Sequence, residues 1–93
     1  MYIRINRTTY WLTDVINATA REGSHGFCYV SGIRAMMGSS CTVKFDLFLE
    51  QGNTVEFCNE YGYCTGEEYI IDGIDKMNMV LELMKTRFAL SKI

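Results

Sequence analysis

Thiols and imidazole are the most reactive side chains here, and they are few: Cys28, Cys41, Cys58 and Cys64, with one histidine, His25. A nucleophilic thiol needs a base beside it, so Cys58 or Cys64 with His25 is the one catalytic pair on offer. His25 sits in the loop Ser24-His25-Gly26 and no spacing places it against either thiol. Zinc sites pair cysteines two to four residues apart; here twelve, sixteen and five residues intervene. No metal site is therefore expected, and structural thiols are the expectation, with a disulfide the alternative. Gly62-Tyr63-Cys64-Thr65-Gly66 lacks the lysine of a phosphate loop. No spacing pairs the carboxylates into an acid–base couple. The expectation is a non-enzymatic protein without a cofactor.

Charge is the informative pattern. Residues 1–45 carry five bases against two acids, residues 46–75 carry eight acids and no base, and residues 76–93 carry four bases against one acid. Val43, Phe45, Leu47 and Leu49 alternate with Thr42, Lys44, Asp46 and Glu50, which is the period of a strand with one buried face. Gln51-Gly52-Asn53 reads as a tight hairpin turn, and Thr54 to Tyr63 as the returning strand with Val55 and Phe57 inward. That register sets Glu50 opposite Thr54, Phe48 opposite Glu56, Asp46 opposite Cys58 and Lys44 opposite Glu60. Asp46, Glu50, Glu56 and Glu60 then share one face around Phe48. Such a face suits a partner with a basic surface, for example a nucleic-acid-binding protein whose groove the carboxylates occupy in place of phosphates.

The elements that must position this face read as β-α-β-β-β-α. Ile3 and Ile5 mark a first strand over residues 2–7. Leu12, Val15, Ile16, Thr19 and Ala20 fall on a helical stripe, with Thr8 or Thr9 as cap and Gly23 beyond its end. Residues 27–63 read as a three-stranded meander, although Ile33 to Met37 also fits a helical turn. Gly38-Ser39-Ser40 is a turn. Thr65-Gly66-Glu67-Glu68 fits a capping box opening a helix from Glu67 to Ser91, lined by Ile70, Ile74, Met77, Leu81, Met84 and Phe88. Gly73 within it marks a bend or a close contact. The expected fold is a single α+β domain over residues 1–93, with both helices on one face of an antiparallel sheet.

Composition agrees with a folded domain: 48% hydrophobic, 22% charged, no proline, net charge −2. No apolar run approaches the roughly 20 residues of a membrane helix, and residues 1–12 lack a signal-peptide core, so a cytoplasmic protein is expected. In size and character the chain resembles phage-encoded inhibitors of host defence, such as anti-CRISPR and anti-restriction proteins. That resemblance implies an inhibitor or adaptor that binds a protein rather than nucleic acid or membrane. A small-ligand or nucleotide sponge is the alternative, with Arg4, Tyr29, Arg34 or Tyr63 lining a pocket. A straight helix of 25 residues would span about 38 Å and overhang the sheet, exposing Phe88, Leu90 and Ile93 as a homodimer contact.

Overall fold

The computed structural model describes residues 1–25, 27–35 and 42–91. Over the described residues it is a mixed α/β fold of nine elements: β1 (Tyr2–Ile5), β2 (Thr8–Trp11), α1 (Leu12–Val15), β3 (Thr19–Glu22), β4 (Cys28–Ala35), β5 (Thr42–Leu49), β6 (Asn53–Cys58), β7 (Cys64–Ile71) and α2 (Ile74–Leu90). The strands form two antiparallel sheets, one ordered β2-β1-β6-β7 and the other β3-β4-β5. Their inner faces close with α1 and α2 on one core that includes Ile3, Ile5, Val30, Leu49, Phe57 and Met77. No helix among the described residues is long and apolar enough to cross a membrane.

Three expectations are corrected. The first concerns residues 8–22, expected as one helix. Asn6 and Arg7 both take left-handed backbone, at φ 49° and 69°, and Ile5 pairs Thr8. This is a two-residue hairpin, whose right-handed strand twist demands positive φ at both turn positions. Aromatic and β-branched Thr8-Thr9-Tyr10-Trp11 then pairs as β2. Only Leu12–Val15 of the helical stripe is helical, and Thr19-Ala20 lies in β3.

The second concerns residues 65–91. Thr65 caps nothing: its hydroxyl donates to the Phe57 carbonyl at 3.1 Å. Gly66 sits at φ 86°, a conformation no helix turn accommodates. Glu67, Tyr69 and Ile71 turn inward while Glu68 and Ile70 are exposed, the two-residue period of β7. The helix begins past Gly73, which is the strand-to-helix junction and not a bend. Its 17 residues span about 26 Å, so the expected overhang does not arise. Phe88 packs against the core, Leu90 is 62% exposed, and Ile93 lies outside the described residues.

The third is the meander and its single sheet. β5 and β6 belong to different sheets. The Asn53 side chain accepts the Glu50 amide at 2.7 Å, and the Gly52 amide donates to Ile71 of β7 at 2.8 Å. The turn thereby carries the chain across to the other sheet, where β6 is a central strand between β1 and β7. That position pairs β6 along both edges and buries Val55 and Phe57. β4 runs extended to Ala35, so no helical turn interrupts it there. The Gly38-Ser39-Ser40 turn lies outside the described residues.

Candidate functional site: the outer face of the three-stranded sheet

In β4 and β5 alternate residues enter the core, as Cys28, Val30 and Leu49 do, which turns Tyr29, Ser31, Ile33, Lys44, Asp46 and Phe48 outward. The register assembles these into rows. Arg21, Tyr29 and Phe48 form one row, Thr19, Ser31 and Asp46 the next, and Ile33 faces Lys44 in a third.

The first row is a stacked ridge. The Arg21 guanidinium lies 5.1 Å from the Tyr29 ring centre. Tyr29 and Phe48 are 5.1 Å apart, and Phe27 adds a third ring 4.8 Å from Phe48. Contacts of this kind contribute about 0.5–1.5 kcal/mol each, so the rings hold one another in place. Even so, Phe48 remains 43% exposed. Beside the ridge runs an open cleft of about 780 Å³, lined by Asp14, Arg21, Ser31, Lys44 and Asp46 among others. Both charge signs therefore border one concave surface.

The five residues expected to share an acidic face are not brought together. Asp46 and Phe48 are on β5, but Phe48 pairs Tyr29 and Asp46 pairs Ser31. Glu56 is on the other sheet, between Arg4 and Glu68. Glu50 lies in the connection from β5 to β6, and Glu60 in that from β6 to β7. The residues expected to line a ligand pocket are dispersed as well. Arg4 borders a separate cleft with Asn6 and Arg7, Tyr63 stands 72% exposed in a loop, and the Arg34 side chain is outside the described residues. Arg21 has no role in the strand pattern read from sequence, because β3 is hidden there under the expected helix, and Phe27 figures only as the first residue of the meander; their signal is an arginine and an aromatic flanking a Gly/Ser loop.

Neither Cys28 nor Cys64 has the lowered pKa of an activated thiol. Cys28 is buried, and burial raises its pKa. Cys64 is exposed, but its thiol is pushed up to about 11, first by a hydrogen bond to Glu56 and further by Cys58, against the opposing charge of Arg4. An active thiolate needs the opposite shift. His25 sits on the β3–β4 loop at φ 58°, and the groups acting on Cys64 are Glu56, Cys58 and Arg4. Among the described residues, no three His, Cys, Asp or Glu side chains gather as a metal site.

Compared with protein-family models, curated proteins and solved structures, the chain matches none of them.

Proposed function

We propose that this chain is a non-enzymatic protein-binding module, an inhibitor or adaptor, that docks the outer face of its three-stranded sheet on a protein partner. The observation carrying this reading is the Arg21–Tyr29–Phe48–Phe27 ridge, preorganised by ring contacts yet open to solvent. Cross-strand aromatic pairs also stabilise sheets, but that role needs contact and not exposure. Tyrosine and arginine are enriched among residues that dominate binding energy, because they bury large rigid surfaces at low entropic cost. The partner contributes an apolar anchor over Phe48 and a basic side chain toward Asp14 and Asp46, which line the same cleft. Arg21 and Lys44 on that cleft set the orientation by rejecting the reverse placement of charge.

A photo-crosslinking amino acid placed at position 48 tests the face directly. The comparison position is 70, since Ile70 is 59% exposed on the other sheet. In lysate of the native host, adducts are expected from position 48 and not from position 70. Equal labelling, or labelling from position 70 alone, refutes the assignment.

A further inference from the structure

Two thiols lie face to face at the base of the β6–β7 turn. Cys58 and Cys64 are direct cross-strand partners, and their sulfurs are 3.8 Å apart. The Asn59 amide donates to the Tyr63 carbonyl at 2.9 Å. That single backbone bond, from the residue after Cys58 to the residue before Cys64, flanks the 58/64 bridge and makes it a non-hydrogen-bonded pair. Side chains approach most closely there, with Cα atoms about 4.5 Å apart, inside the window of about 4.4–6.8 Å that a disulfide spans. Closing the sulfurs to about 2.05 Å needs only side-chain rotation and a small strand adjustment. The strand is already irregular at this place: the register shifts between Glu56 and Cys58, and Gly62 and Gly66 take left-handed backbone at φ 85° and 86°.

The two sulfurs differ in access. Cys64 is exposed, while Cys58 is 1% exposed. Cys28 is buried on β4 of the other sheet, and Cys41 lies outside the described residues. We propose that Cys58 and Cys64 are a dithiol modification site, at which exchange with a small-molecule disulfide of the glutathione class closes a reversible cross-strand disulfide. In the first step the Cys64 thiolate attacks one sulfur of the small disulfide, forming a mixed disulfide and releasing one thiolate. In the second the Cys58 thiolate attacks Sγ of Cys64, forming the Cys58–Cys64 bond and expelling the second thiolate. The protein loses two electrons and two protons, and the small disulfide gains them as two thiols.

The groups facing Cys64 set the pace. Glu56 and Cys58 from β6 and Arg4 from β1 act on it, and Glu56 holds its proton most strongly. Exchange is therefore slow at neutral pH and quickens as pH rises. The product joins the two ends of the turn that displays Tyr61 and Tyr63, 76% and 72% exposed. Asn59 already organises that turn, its side-chain oxygen accepting the amides of Tyr61 at 2.9 Å and Tyr63 at 3.0 Å. The bond would be solvent-accessible at Cys64, which leaves it open to exchange with reduced small thiols.

The test uses the full chain in graded ratios of oxidised to reduced glutathione, followed by acid quench, alkylation and peptide mapping. The expected product is a peptide pair carrying Cys58 and Cys64 that has lost two hydrogens, with Cys28 still alkylatable and both thiols restored by excess reduced glutathione. Cys58→Ser is expected to stop at a Cys64–glutathione adduct, and Cys64→Ser to leave Cys58 unmodified. A stable Cys64–glutathione adduct in the unmutated chain, pairing of either cysteine elsewhere, or no exchange even at alkaline pH overturns the proposal. If either variant fails to fold, the product map of the unmutated chain decides alone.

Discussion

Removing Arg87 probes an ion pair that joins β7 to α2. Its guanidinium meets Glu67 through two bonds of 2.6 Å, the Tyr69 hydroxyl donates to the same carboxylate at 2.6 Å, and the guanidinium carbon lies 4.7 Å from the Phe57 ring centre. About a third of each charged side chain remains exposed, 34% for Arg87 and 28% for Glu67, so solvent screening discounts the pair heavily. Exposed pairs contribute about 0.2–1 kcal/mol, and the two-pronged geometry places this one at the upper end. A double-mutant cycle of Arg87→Ala with Glu67→Gln is therefore expected to give a coupling of about 1 kcal/mol. Arg87→Ala alone also uncovers Phe57, for a total near ~2 kcal/mol, or roughly 10 °C in melting temperature. Glu67 carries a pKa lowered by its bonds to Arg87 and then Tyr69. Its contribution is thus present above the ordinary carboxylate value of 4.5 and is lost as pH falls through the lower folded value. Urea unfolding of the four proteins at neutral and acidic pH measures both effects. On one continuous helix these residues, twenty positions apart, would be separated by about 30 Å and uncoupled. Additive losses at neutral pH would restore that helix, and coupling that survives protonation of Glu67 would refute the electrostatic account.

Other consequences follow from the same packing. Phe45 is half-buried 5.6 Å from Tyr10, so Phe45→Ala is expected to cost about 2–3 kcal/mol and Phe48→Ala about 1 kcal/mol; chemical denaturation would detect a reversed order, which exchanges the strand faces. A side chain at Gly32 would start 2.9 Å from the Phe45 ring and 3.3 Å from the Ala18 backbone, so Gly32→Val is expected to lose about 1–3 kcal/mol in the same assay. Alkylation of Cys64 is expected to accelerate about tenfold per pH unit up to the value of about 11, and Glu56→Gln to raise the neutral rate; a plateau at the ordinary thiol value contradicts the Glu56 hydrogen bond.

Local periodicity carried much of this fold and non-local pairing carried the rest. The alternation through β5 turns Phe45 inward and Phe48 outward as expected, and the stripe Met77, Leu81, Met84 is buried on α2. The hairpin of Asn6 and Arg7 was hidden because it lacks the glycine that usually marks a two-residue turn. β7 was hidden because Thr65 and Glu68 imitate a helix cap three residues apart, while the left-handed conformation of Gly66 has no sequence signature. Which sheet β6 joins is decided by β1 and β7, far along the chain, and no adjacent residue reports it. The candidate site inherits this division. Asp46 and Phe48 were legible as outward residues of β5. Arg21 was not, since it joins Tyr29 and Phe48 in one row only once β3 and β4 pair.

The docking face stands or falls on a comparison of partner binding by three proteins matched in melting temperature. These are the unmutated chain, the double variant Arg21→Ala/Phe48→Ser on the ridge, and Ile70→Ser on the other sheet. Each is immobilised, and the partner identified by crosslinking at position 48 is titrated over it. Loss of two ridge anchors, each worth about 2 kcal/mol in a desolvated contact, predicts at least a tenfold rise in Kd for the double variant and none for Ile70→Ser. Equal Kd for the double variant and the unmutated chain would contradict the assignment of this face.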